Sequence, residues 1–219
     1  MDVREALYTT RAMRRLAPDP VPDEVLMRIL DAAIRAPSAG NAHAFRFLVV
    51  RDADTKKALQ VLYREALDEL YRTRYARAAD AVRAGTADPS QQRVTASANH
   101  LADSLHTAPV LLFAYGLSNG ASSVFPAVWS ACLAARAEGL GSTVTTLLKA
   151  RRAEVDALLG RPPDSEYEMF AMIPIGRPLG RWGVAQRRPL HEMVYTERWA
   201  CPPDWNCDRP LWPEPEGAP

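Results

Sequence analysis

Three stretches of the 219-residue chain carry side chains whose types and spacing can do chemistry. Thr10-Arg11-Ala12-Met13-Arg14-Arg15-Leu16 sets three arginines within five positions. Guanidinium groups pair with phosphate in a bidentate way, so this cluster can clamp one phosphate. A solvated charged turn is the other reading. Ala36-Pro37-Ser38-Ala39-Gly40-Asn41-Ala42-His43 is small and turn-forming, and it runs into the apolar stretch Phe45 to Val50. Such a corner lets backbone N–H groups approach a flat or charged ligand, although many folds need a tight corner for packing alone. Gly139-Leu140-Gly141-Ser142-Thr143-Val144-Thr145-Thr146-Leu147 reaches a β-branched, hydroxyl-bearing strand end through two glycines. That end can hydrogen-bond a flat heterocycle. A second basic cluster, Gln186-Arg187-Arg188-Pro189-Leu190, follows near the end of the chain.

Other chemistries lack their residues. Gly176-Arg177-Pro178-Leu179-Gly180-Arg181-Trp182-Gly183 is glycine-rich, but no Lys-Ser/Thr follows it and no helix opens on it. It is therefore neither a phosphate loop of the Walker kind nor a dinucleotide fingerprint. No nucleophilic triad or carboxylate pair stands out. Cys132 reads as core. Cys201 and Cys207 allow a disulfide or a metal site on spacing, but two thiols without nearby histidines leave a zinc shell incomplete, so no metal site is expected. Net charge is +1, from 27 Lys plus Arg against 26 Asp plus Glu. No global field draws the chain to nucleic acid or membrane, and no apolar run nears the roughly 20 residues that span a bilayer. Three cysteines make no disulfide framework, and the first residues lack the layout of a secretory signal, so a cytoplasmic setting is expected.

The elements that must position these stretches are legible in outline. Residues 2–8 read as a short helix with Val3, Leu7 and Tyr8 on one side. Asp23 stands at an N-cap position before a helix patterned by Val25, Leu26, Ile29, Leu30, Ala33 and Ile34. That helix ends at Ala36-Pro37, and a buried strand from Phe45 to Val50 follows the corner. Asp52-Ala53-Asp54 caps a helical stretch from about 55 to 84, with Leu59, Leu62, Leu67, Leu70 and Tyr71 in a stripe. A further helix runs over 91–105, and 64–100 is either a solvated helical excursion or a lid. Pro109 to Tyr115 is a central strand. Val124, Val128, Trp129, Cys132, Leu133 and Ala135 give a helix buried almost all round. Arg152–Leu159 is a short helix closed by Gly160, Tyr167–Ile175 a last apolar strand, and His191–Tyr195 a helical turn. The tail 196–219, with Trp199, Trp205 and Trp212, is expected to lie across its own domain or a partner protomer.

These pieces, in this order, resemble the flavin-dependent nitroreductase family over roughly residues 4–195. The family's Arg-Arg-Ser-x-Arg-x-Phe opening is met by Thr10 to Leu16, and its Val-Pro by Val21-Pro22. Its Ala-Pro-Ser-x-x-Asn-x-Gln-Pro-Trp corner is met by Ala36 to Phe45. The late Gly-Leu-Gly, hydroxyl-rich strand, Gly-x-Pro and basic-Pro-Leu ending are met by Gly139-Leu140-Gly141, Thr143 to Thr146, Gly176-Arg177-Pro178 and Arg187-Arg188-Pro189-Leu190. The Val144-Thr145-Thr146 strand and the ending look most like the branch that holds iodotyrosine deiodinase and the flavin-fragmenting dimethylbenzimidazole synthase.

The resemblance implies an α+β fold: a nitroreductase-like mixed central sheet flanked by helices, in an intertwined homodimer. It implies one FMN-binding domain over 1–195, with 64–100 as a possible lid and 196–219 as a tail. Carried over residue by residue, Arg11, Arg14 and Arg187 hold the FMN phosphate beside Ala12. Pro37, Ser38, Ala39 and Asn41 contact the flavin, with Asn41 reaching across the interface. Val144, Thr145 and Thr146 line the ring, and Thr146 is placed to reach N5. Thr10 and Ala12 depart from the family's arginine and serine, which removes two phosphate donors; Arg15 and Arg188 are the candidates to compensate. The deiodinases' Glu/Tyr/Lys grip on an amino-acid zwitterion is not found, so iodotyrosine is not the expected substrate. The leading functional reading is an oxidoreductase that moves reducing equivalents from NAD(P)H through FMN to a nitroaromatic or quinone-like acceptor. A flavin destructase or oxygen-using dehydrogenase is the second reading, and a catalytically silent flavin-binding dimer the third.

Overall fold

The computed structural model of the chain describes residues 1–212. The chain divides into two compact units, one made of Met1–Arg11 with the chain from Trp182 on, the other of Ala12–Arg181.

The larger unit is built on a four-stranded sheet in the order β1-β2-β4-β3. Its strands are β1 (Phe45–Val50), β2 (Val110–Leu117), β3 (Gly141–Ser142) and β4 (Tyr167–Gly176). β2 and β4 lie centrally and are buried along nearly their whole length, which is why both read as continuous apolar runs. β1 is an edge strand that alternates, with Arg46 and Leu48 outward; the sequence reading took it as buried throughout. All three ladder pairs among the described strands are antiparallel, where a mixed sheet was expected. The helical connections between strands are long enough to return the chain in either sense, so sequence pattern does not fix it.

Helices cover both faces. α2 (Asp23–Ala33) and α6 (Ala121–Ala137) pack through Leu26, Ile29, Ala33, Val124, Ala127, Val128, Ala131, Cys132 and Ala135 onto Val110, Leu112, Ala114, Ile173 and Ile175. Side chains alternate along a strand, so Leu111, Phe113 and Met172 face the other layer and are fully buried there. That layer holds α3 (Ala53–Arg72), α4 (Ala76–Arg83), α5 (Pro89–Ser104) and α7 (Arg152–Leu158).

Several local expectations change. Asp23 is the first helical residue of α2, not its cap: Pro22 takes the cap position without a side-chain bond, and Asp23 pairs with Arg51. The stretch 55–84 is two helices, because the chain turns through Thr73 (φ −114°, ψ −96°) between α3 and α4. α6 is not buried all round; Phe125 and Trp129, four residues apart, stand 39% and 42% exposed. Burial pushes the Cys132 thiol up, in keeping with a core residue.

The smaller unit contains α1 (Val3–Thr9), a 3-10 turn at Leu190–Glu192 and the tail to Trp212. α1 buries Ala6 and Thr9 and exposes Val3 and Leu7, the reverse of the face expected from the apolar residues. Within this unit Trp212 packs tilted against Tyr8 with ring centroids 5.7 Å apart, and Cys207 accepts at its carbonyl from Leu190 N at 3.0 Å. The tail thus packs on its own unit's ends. Its last seven residues, 213–219, lie outside the described residues. All three cysteines are free, so Cys201 and Cys207 form no disulfide.

Candidate functional site

In the larger unit the corner is a 3-10 turn at Ala39–Asn41. It owes its shape to left-handed backbone at Gly40 (φ 58°), Asn41 (φ 53°) and His43 (φ 47°). Glycine and asparagine adopt this region at least cost. Two side chains fix the turn from inside. His43 N donates to Ser38 Oγ at 3.1 Å, and Ala39 N donates to Ser123 Oγ of α6 at 3.1 Å. Ser123 is buried, whereas Pro37, Ala39 and Asn41 are exposed and Ser38 half-buried. The corner is a rigid, small-residue surface.

The hydroxyl-rich stretch is held differently. Regular pairing stops after Ser142, so the expected strand is only the two residues of β3. Gly141 lets the basic segment in close: a Cβ there would sit 2.8 Å from Met13 Cβ and 3.0 Å from Pro178 Cβ. Met13 N donates to Ser142 O at 2.9 Å, which brings the segment 12–14 against this stretch. Thr145 returns to the sheet as an isolated bridge, exchanging both backbone bonds with Met172 of β4 at 2.9 Å. Its hydroxyl turns inward, 3.2 Å from Tyr63 Oη of α3, and accepts from Leu147 N at 3.3 Å. Val144 and Thr146, on either side, are exposed. Burial pushes the Tyr63 phenol up, while its bond to Thr145 and the Arg14 charge pull it back. Burial likewise raises Tyr71, eight residues along the same helix, against the charge of Arg64.

The smaller unit has a groove of about 840 Å³. Apolar walls come from Leu7, Tyr8, Leu190 and Met193, and the polar side from Arg187 and Arg188 with Thr10. Arg187 and Arg188 are exposed, and no carboxylate pairs with either among the described residues. The Thr10 hydroxyl is buried without a hydrogen-bond partner. The Arg188 guanidinium, that of Arg187, which gives one N–H to Gln186 O at 3.0 Å, and an orphaned hydroxyl along one groove are a donor set for an anion.

The expected site residues therefore divide. Arg11 and Arg187 belong to the smaller unit, and Ala12, Arg14, Pro37, Ser38, Ala39, Asn41, Val144, Thr145 and Thr146 to the larger. Arg11 and Ala12 are exposed and Arg14 half-buried. The structure brings Ala12 and Arg14 beside the 141–147 stretch; it anchors the corner separately, on α6. Sequence reasoning missed Ser123 and Tyr63. The one available signal for Tyr63 was a hydroxyl standing within an apolar helical stripe. No group of three metal-ligating side chains occurs among the described residues.

A sequence model of the nitroreductase family matches residues 7–177, and the chain belongs to that family. Among curated relatives, a Thermus thermophilus NADH dehydrogenase is 48% identical over 60 residues, covering 27% of this chain and 29% of that protein. Iodotyrosine deiodinase 1 of Rattus norvegicus is 27% identical over 187 residues, covering 80% of this chain and 61% of that one. The chain thus spans less than two thirds of either relative. The fold is shared with an iodotyrosine deiodinase crystallised with FMN and 3-iodo-L-tyrosine, at TM-score 0.69 and 24% identity over 85% of this chain and 95% of that one.

Proposed function

We propose that the protein is an FMN-dependent oxidoreductase that takes reducing equivalents from NAD(P)H and delivers them to an electron-poor small molecule of the nitroaromatic or quinone class. The observation that carries this reading is the alternation at 144–146. Thr145 is bonded inward, so the Val144 side chain and the Thr146 hydroxyl stand outward as a small surface, apolar and hydrogen-bonding at once. Such a surface suits the edge and face of a flat heterocycle. The names of the relatives support the cofactor and the donor: one binds FMN, another is an NADH dehydrogenase.

The residues present fit FMN. Val144 and Thr146 would take the ring, with Thr146 toward N5, and Pro37, Ser38, Ala39 and Asn41 would give a second small-residue surface. Ala12 and Arg14 in the larger unit, and Arg11 and Arg187 in the smaller, are each proposed as phosphate contacts. Thr10 adds its orphaned hydroxyl and Arg188 its free charge, which offsets the arginine and serine that Thr10 and Ala12 replace. When bound, FMN supplies the hydride chemistry, and the protein's part is orientation, charge and exclusion of water. The acceptor needs no side-chain nucleophile, in accord with a site of hydroxyls, small residues and arginines.

The same proposal holds the FMN-binding domain to 1–195, with 64–100 as lid and 196–219 as tail. It makes the working unit a cytoplasmic homodimer, with no nucleic acid or membrane as partner. No helix among the described residues is long and apolar enough to cross a membrane. Phe125 and Trp129 on α6 and Trp199, Trp205 and Leu211 in the tail are exposed apolar groups that a second copy would cover.

Titration of flavin-free protein with FMN, followed by quenching of flavin fluorescence, tests the reading. Saturable binding is expected, weakened about ten- to hundredfold in Arg187→Ala, since a charge-assisted bond to phosphate contributes about 1.5–3 kcal/mol. Equal binding by parent and variant would remove Arg187 from the site, and no binding by either would end the proposal.

A further inference from the structure

The hydroxyl of Thr145 faces away from the surface that its neighbours present, and its partner lies on a helix that no sequence motif marks. We propose that Tyr63 is a positioning residue: its phenol holds Thr145 so that Val144 and Thr146 keep their outward setting. The inference rests on the reading of that setting as the flavin surface. Three restraints converge on Thr145. Its backbone exchanges both bonds with Met172, its Oγ1 accepts from Leu147 N at 3.3 Å, and the same Oγ1 is hydrogen-bonded to Tyr63 Oη at 3.2 Å. The first restraint fixes Thr145 to the sheet. The second ties it to the start of the 3-10 turn Leu147–Arg151, whose cap residue is Thr146. Only the third reaches across to α3.

The backbone shows why a third restraint is required. Regular strand pairing ends at Ser142, and Thr145 touches the sheet at one bridge only. One bridge fixes position but leaves the peptide planes on either side free to rotate. A hydroxyl bonded to a buried phenol sets which way the Thr145 side chain points, and the exposed Val144 and Thr146 on either side take their setting from it. Tyr63 suits the task. It is 5% exposed, in the buried stripe with Leu59, Ala66 and Leu67, so its ring has little room to move. It stays protonated through the physiological range, because burial raises its phenol. The two hydroxyls therefore share one hydrogen bond, with either oxygen able to donate, while Thr145 Oγ1 accepts from Leu147 N.

Amide hydrogen exchange on the flavin-free protein tests this without turnover. In Tyr63→Phe, which keeps the ring and loses only the hydroxyl, the Leu147 amide, a donor to Thr145 Oγ1, is expected to exchange about tenfold faster, the effect of one lost hydrogen bond. The Met172 amide and those of α3 keep parent rates. With FMN added, the same variant shifts the visible absorption band of the bound flavin, a change that loss of stability alone does not produce. Thr145→Val frees the Leu147 amide further, since it also removes the Oγ1 that accepts from it, Thr145→Ser keeps parent behaviour, and Tyr63→Phe added to Thr145→Val changes nothing more. An unchanged Leu147 amide in Tyr63→Phe would overturn the inference. So would equal loosening throughout α3 and β4, or additive effects in the pair. If the parent binds no FMN, the proposed function fails, and the exchange rates still decide whether Tyr63 holds Thr145.

Discussion

Two orphaned hydroxyls show how one feature acquires different meanings from its setting. The Thr10 hydroxyl lines a groove with Arg187 and Arg188, where an anion can satisfy it. The Tyr115 hydroxyl sits in the sheet near the Asp156–Arg161 ion pair, buried and without a partner. Burial first, then the Asp156 carboxylate, pushes its pKa from 10.0 to about 12, against the pull of Arg161. A raised value means that the folded chain holds the phenol proton more tightly than the unfolded one. The associated stability is full below pH 10.0 and is lost as pH climbs through about 12. Tyr115→Phe removes both the titration and the unsatisfied group. Thermal unfolding followed against pH should show the variant equal to the parent, or more stable by about 1 kcal/mol, at neutral pH. Its advantage should widen between pH 10.0 and about 12. A variant that is less stable at every pH would show that the hydroxyl has a partner in solution, such as an ordered water.

Among the elements, the shortest strand matters most to the site, because β3 is where the basic segment and the hydroxyl stretch meet. Gly141 makes that approach possible, and a methyl group there meets Met13, Pro178 and Leu16 at 2.8, 3.0 and 3.2 Å. Gly141→Ala should cost about 1–3 kcal/mol in chemical denaturation, as overpacking does. It should also weaken FMN binding by displacing the 12–14 segment; parent-like stability and binding together would show that the neighbours yield freely. This element also marks how far sequence could see. Gly139-Leu140-Gly141 signalled an approach, but 143–146 read as strand because β-branched residues fit one, and only tertiary pairing shows that Thr145 alone rejoins the sheet. The long apolar runs gave β2 and β4 at once, since burial on both faces erases periodicity. β1 looked alike in sequence and proved an edge, a property of strand order that no local pattern encodes. The proposed contacts Arg187, Ser38, Asn41 and Thr146 could be named from sequence because their motifs are local. Tyr63 and Ser123 were not, because each acts through a partner 82 or 84 positions away.

At the scale of the whole molecule, α6 has a buried side in the core and an outward pair, Phe125 and Trp129. Desolvating that pair requires a partner, and a second copy of the chain is the one that the proposed function assigns. Trp129→Glu should move the protein toward monomer in sedimentation velocity while leaving its circular dichroism intact, since the residue lies outside the core. A parent that is already monomeric at micromolar concentration would contradict the assignment. The central claim is chemical, and the visible spectrum of FMN-loaded protein, recorded without air before and after NAD(P)H, tests it most directly. The account predicts a bound-flavin band that bleaches on addition of the nicotinamide and returns when a quinone is supplied. A bound flavin that stays oxidised with both NADH and NADPH would contradict it.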